Sequence, residues 1–123
     1  MSQIKRFFTT PIYYVNDVPH IGHAYTSIAV DFLARFSRLN GHETRFLTGT
    51  DEHGLKIQKA AEKLSMSPLE LCNKNSEIFR NLTKTLNLSN DDFIRTTEDR
   101  HKDGAAYLWN LLFENGDIYL DEY

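Results

Sequence analysis

Between Arg6 and Gly49 the side-chain pattern runs from strand to helix and back to strand, and this constrains the fold more than any other feature. "RFFTT", Arg6–Thr10, is aromatic and β-branched, and Pro11 ends it, which predicts a strand. Pro11, Asn16-Asp17 and Pro19 then mark a loop. From Ile21 the apolar positions run Ile21, Tyr25, Ile28, Ala29, Phe32, Phe36 and Leu39 at the spacing of an amphipathic helix. Asp31 and Arg35 pair one turn apart within it, and Asn40-Gly41 supplies the stop. "ETRFLTG", Glu43–Gly49, reads as a second strand, closed by the loop "GTDEHG". Strand, loop, long helix and strand make a βαβ unit, and such units build parallel sheets through right-handed crossovers.

The rest of the chain continues the alternation. "LKIQKAAEKL" predicts a short helix. Ser67 as N-cap, Pro68 at the first helical position and Glu70 completing a capping box predict a helix from Pro68 to about Leu86. "NDDFIRTT" gives a turn and a short strand; Thr96 or Thr97 is then expected to cap a helix through "AAYLWNLLFEN", stopped by Gly116. "IYL", near the C-terminus, reads as one more strand. No repeat or low-complexity segment interrupts the pattern. The expected fold class is α/β, a Rossmann-type nucleotide-binding fold with a parallel sheet, of which residues 1–123 supply the first half. The last residues, "GDIYLDEY", stop at or just after a strand, which reads as a cut rather than a natural close.

Composition narrows the function classes. With 41% hydrophobic residues the chain is globular, and a net charge of −3 without a Lys/Arg run makes it a poor electrostatic grip for nucleic acid. Any RNA partner is expected to dock mainly elsewhere. No segment reaches the roughly 20 apolar residues of a membrane helix, and no signal-length apolar run follows the basic N-terminus. The single cysteine, Cys72, excludes an internal disulfide and a multi-cysteine zinc knuckle. A reducing, cytoplasmic compartment is expected.

The chemistry concentrates in "HIGH", His20 to His23, where the loop becomes a helix. In open parallel sheets ligands sit beyond the carboxyl ends of strands, so "HIGH" and "TGTDEHG" are expected to face one crevice. The helix start offers backbone N–H groups and a positive dipole end to an anion. Gly22 leaves room for a flat ligand against the backbone, and His20 and His23 supply donors to phosphate oxygens. A plainer reading makes each histidine a helix cap or a surface group. A third gathers His20, His23 and His53, with Asp51, around zinc, although a histidine pair without cysteines is weak support. Asp51 at the crevice can pair with a substrate ammonium, or it can simply cap the next helix. Tyr13 and Tyr14 read as wall or core, Cys72 as core, and His42 and His101 receive no role.

"TTPIYYVNDVPHIGHAYT" followed by "FLTGTDEHG", with "DDFIRTTEDRH" and "ENGDIYLDEY" further on, resembles the start of the methionyl-tRNA synthetase family, class I aminoacyl-tRNA synthetases. The resemblance runs along essentially all 123 residues. "HIGH" alone indicates only the class, whereas "TPIYYVN" ahead of it and "TGTDEHG" after the helix point to the methionine branch. The resemblance implies activation of methionine by ATP, as its Mg2+ complex, to methionyl-adenylate, and then transfer to tRNA. It implies phosphate contact for His20 and His23, adenosine over Gly22, the substrate ammonium on Asp51, and methionine-site walls from Ile12 and Tyr14. No structural zinc is implied within this segment. The family's second signature, the lysine-bearing "KMSKS" loop, is absent from these residues, as are the connective insertion and the anticodon-binding domain. Alone, the segment is therefore expected to be inactive.

Two rivals belong to other classes. A stand-alone nucleotidylyltransferase shares an H-x-G-H and attack at an α-phosphate, but needs neither "TPIYYVN" nor "TGTDEHG" and should carry a second phosphate motif. A non-catalytic interaction module predicts a stable folded monomer without amino-acid-dependent ATP turnover.

Overall fold

Residues 4–122, which a computed structural model describes, form four strands and four helices; all four helices and three of the strands stand where the periodicity predicts them. Of the expected 1–123 unit, the first three residues and Tyr123 lie outside the described residues. The order is β1 (Lys5–Thr9), β2 (Tyr13–Tyr14), α1 (Ile21–Leu39), β3 (Glu43–Asp51), α2 (Leu55–Lys63), α3 (Pro68–Thr85), β4 (Asp92–Arg95) and α4 (Asp99–Glu114). Every strand pairing is parallel, and β3 is the hub. Leu47 faces both Thr9 and Asp92, and Thr50 faces both Tyr13 and Arg95, so β1 and β2 share one edge of β3 and β4 takes the other. This is the Rossmann-type parallel arrangement.

Between β1 and β2 the register slips. Thr9 pairs with Leu47 and Tyr13 with Thr50, so Thr10, Pro11 and Ile12 lie opposite only Thr48 and Gly49. One extra residue on one strand is a bulge, and proline, lacking an N–H, belongs at such a break.

Both crossover helices lie on the same face of the sheet. Thr44 hydrogen-bonds Ser37 of α1 and Thr50 hydrogen-bonds Ser76 of α3, and these threonines are an even number of residues apart on β3. That is what successive right-handed crossovers in the order β1-β3-β4 produce. The opposite face carries Phe7 and Arg45, paired and exposed. The core joins β2 and the segment after it to α2, α3 and β4: Tyr13, Val15, Ile57, Ala61, Leu71, Cys72, Phe79 and Phe93. Gly49 permits the close approach of β4, because a Cβ there would lie 2.0 Å from the Ile94 carbonyl oxygen.

Four expectations need correction. Within the stretch read as loop, Tyr13 and Tyr14 form β2, and β3 runs on through Asp51. The α4 N-cap is Glu98, not Thr96 or Thr97, whose hydroxyls are taken by Glu52. "IYL" forms no strand: residues 118–120 have no ladder partner among the described residues, and a strand exists only through its neighbour's hydrogen bonds. The apolar periodicity located α1 end to end, but Ile21, Tyr25, Ile28, Phe32, Phe36 and Leu39 are all exposed, while Ser27, Asp31, Ala34 and Ser37 are buried. The Ser67/Glu70 capping box and the positive-φ Gly116 after α4 stand as expected.

Candidate active site

The two histidines of "HIGH" cap their own helix reciprocally. His20 is the N-cap of α1, and its Nδ1 accepts the Gly22 N–H at 3.1 Å. His23, one turn on, accepts the His20 N–H on its own Nδ1 at 3.0 Å. This is the logic of a capping box with imidazoles in place of hydroxyl and carboxylate, and it requires both residues at this spacing. An Nδ1 that accepts from a backbone N–H carries no proton, so each ring is the neutral tautomer with its proton on Nε2. The rings lie 3.8 Å apart between centroids. Burial, then the repulsion that a second protonated imidazole at His20 would exert, lowers the pKa of His23 below its ordinary 6.5, which favours the same neutral form.

The cap alters the expectation of a free helix terminus. The Gly22 N–H is taken by His20 Nδ1 and the His23 N–H by the His20 carbonyl, so the donors this turn has left are the imidazole Nε2–H groups and the Ile21 N–H. Gly22 also has a local reason to be glycine: a Cβ there would meet the His20 ring at 2.9 Å.

Tyr13 holds the assembly from behind. Its ring meets His23 edge-on at 4.8 Å and stacks on Phe79 at 5.7 Å, and its hydroxyl lies 3.0 Å from Ser27 of α1. In front of the histidines is an open pocket of about 530 Å³ lined by Ile12, Tyr13, Tyr14, Asn16, Asp17, Val18, Pro19, His20 and His23. Four candidate residues, Ile12, Tyr14, His20 and His23, thus meet in one pocket, with Gly22 on the same helical turn.

Asp51 stands beside that pocket rather than in its wall. It pairs with Tyr14 at the end of β3, and its Oδ1 accepts the His53 N–H at 3.2 Å. It does not cap α2, whose N-cap is Gly54 with no side-chain cap bond. The zinc set does not assemble: His53 Nε2 lies 3.3 Å from the Thr96 carbonyl, and no three His, Cys, Asp or Glu side chains gather around a metal position among the described residues. Cys72 is buried, and burial, then the Glu52 charge, pushes its thiol up to about 11, leaving it an unreactive core residue. Among the described residues no helix is long and apolar enough to cross a membrane.

The residue pair that sequence reasoning missed is Glu52 with Arg95. The Glu52 carboxylate, fully buried, accepts Arg95 Nε at 2.7 Å and Nη2 at 3.0 Å. Only the adjacency of Glu52 to Asp51 hinted at it, because the partner is 43 residues away.

A family model described as tRNA synthetases class I (M) matches residues 6–123. The methionine–tRNA ligase of Rickettsia bellii is 59% identical over 113 residues, which cover 92% of this chain and 22% of that protein. The corresponding protein of Mesorhizobium japonicum is 56% identical over 123 residues, all of this chain and 24% of its own length. Among solved structures, Mycobacterium tuberculosis methionyl-tRNA synthetase in complex with methionyl-adenylate superposes with a TM-score of 0.92 at 46% identity, covering 98% of this chain and 24% of that one. The chain thus spans less than a quarter of the length of the relatives it matches.

Proposed function

Because the chain belongs to the tRNA synthetases class I (M) family, we propose that it forms the N-terminal half of the catalytic Rossmann domain of a methionine–tRNA ligase. Residues 1–123 would precede the connective insertion and carry half of the site that activates methionine with ATP and then charges tRNA. ATP enters as its Mg2+ complex, the metal travelling with the substrate. The observation that carries this reading is the reciprocal histidine cap, which engages both Nδ1 atoms and leaves the Nε2–H groups of two pocket-lining imidazoles available as donors. Attack of the methionine carboxylate on the α-phosphate builds charge on phosphate oxygens, and prefixed donors stabilise that charge without reorganising.

In this reading His20 and His23 face the phosphates, and Gly22 keeps the first turn of α1 thin beneath the adenosine. Asp51 holds the methionine ammonium, and Ile12 and Tyr14 wall its side chain. An unbranched thioether offers no strong hydrogen-bonding group, so selection rests on shape, apolar contact and the fixed ammonium. With a net charge of −3 this segment leaves the main tRNA-binding surface to other parts of the enzyme, and the setting is the cytoplasm.

The test is ATP–pyrophosphate exchange by an enzyme of the relatives' full length containing this segment. His20→Ala or His23→Ala should slow adenylate formation by about 10²–10³, as loss of one preorganised donor does, with little change in methionine affinity. Collapse of methionine binding with normal adenylation from the bound state would overturn the phosphate assignment. The 123-residue chain alone should show no exchange.

A further inference from the structure

The buried Glu52 carboxylate is held by more than its ion pair with Arg95. Thr50 Oγ1 donates to Oε1 at 3.0 Å and Thr97 Oγ1 to Oε2 at 2.5 Å. The Glu52 N–H donates to Thr96 Oγ1 at 2.8 Å, and Arg95 Nη2 continues to Asn73 of α3 at 2.6 Å. Burial works to raise the Glu52 pKa, but the bonds from Arg95, Thr97 and Thr50 outweigh it, so the carboxylate stays ionised. A buried ion pair is weak evidence of added stability, since its desolvation offsets most of its attraction. What such a network supplies is one fixed geometry.

That geometry bears on Asp51. Thr50 and Glu52 are hydrogen-bonded to each other and fastened on one side of the chain, and strand alternation sends the residue between them to the other side. Asp51 makes no ion pair among the described residues, whereas its neighbour's charge is matched by Arg95. Of two adjacent carboxylates, one is neutralised and locked while the other is left to a cation. We propose that Glu52, clamped by Arg95 and Thr97, is a positioning residue that aims Asp51 at the amino-acid ammonium. This rests on the reading of Asp51 given above.

The experiment is a double-mutant cycle in the full-length enzyme, measuring kcat and KM by ATP–pyrophosphate exchange. Glu52→Gln should raise KM for methionine about tenfold while kcat and KM for ATP stay within about twofold. In an Asp51→Asn background the same change should add almost nothing, because a residue acting through Asp51 has no path once Asp51 is gone. Thr97→Val, which removes one donor and keeps the ion pair, should act in the same direction by about two- to threefold and also vanish in that background. It serves if Glu52→Gln fails to fold. Equal effects with and without Asp51, or a parallel rise in KM for ATP, would reduce Glu52 to structural support and overturn the proposal. An Asp51→Asn enzyme with unchanged KM for methionine would instead sink the Asp51 reading itself.

Discussion

α2 and α3 pack mainly through apolar side chains, with Ile57, Ala61, Leu71 and Phe79 closing over Tyr13, Val15 and Phe93, and α3 adds the buried Asn75 and Ser76 as polar contacts. α1, on the same face, docks through small and polar groups. Ser27 meets the Tyr13 hydroxyl, Ser37 meets Thr44, and Asp31 accepts both the N–H and the hydroxyl of Ser89 at 2.6 Å. Arg38 completes the clasp on Ser89 and Asp91. The apolar residues of α1 lie about a third of a turn away from this seam, with Tyr25 76% and Phe32 67% exposed. The α2–α3 part of this face is therefore covered mostly by apolar packing, whereas α1 is pinned by hydrogen bonds and keeps its hydrophobic stripe exposed. A stripe this continuous is the mark of a surface that another element covers.

The contrast can be broken or sharpened by substitution. Phe79→Ala should have the largest effect, about 3–5 kcal/mol in denaturant unfolding, because it empties a buried site against Tyr13 and His23. Gly49→Ala should follow, at about 3 kcal/mol, since a Cβ 2.0 Å from the Ile94 carbonyl oxygen forces β4 away from β3. Asp31→Asn on the α1 side should lose about 2 kcal/mol at neutral pH, as hydrogen bonds to a charged group do. Burial opposes ionisation of Asp31, but bonds from Ser89 and Arg35 hold its pKa below the ordinary 3.8. A depressed carboxyl pKa stabilises the fold above the unfolded value and loses that effect as pH falls through the folded one. The gap between Asp31→Asn and the parent should therefore narrow below pH 3.8 in urea titrations. Phe32→Glu should have the smallest effect, within about 0.5 kcal/mol, while reducing self-association in light scattering. A large stability loss from Phe32→Glu would show that the stripe is packed in solution.

What was legible in the sequence followed the range of the forces involved. α1 and α3 were found to within a residue because caps, stops and periodicity are local signals. β2 was invisible because two residues carry no period of their own and are strand only by virtue of Thr50 and Asp51. The apolar stripe located α1 but not its buried face, which is made of the small and polar Ser27, Asp31, Ala34 and Ser37. In the candidate site, "HIGH" and Asp51 stood out by residue type and spacing. The reciprocal cap was not foreseen, since imidazoles seldom fill those two positions. Glu52 with Arg95 depended on a pairing across the sheet that no local pattern encodes.

The extra residue opposite Thr48 and Gly49 resets the phase of the edge on which the pocket is built. Thr10 touches Thr48 and Tyr13 pairs with Thr50, so Thr10 and Tyr13 occupy the same side although they are three apart. An unbroken strand would have placed Ile12 and Tyr14 on that inner side and turned Tyr13 outward. With the slip, Tyr13 goes in to brace His23, and Ile12 and Tyr14 come out, 44% and 50% exposed, to line the pocket. Deleting Pro11 alone would restore one-to-one pairing with Thr48 and Gly49 and leave Tyr13 opposite Thr50. The pocket would keep its outward residues and lose only the bulge, because those residues are chosen by counting.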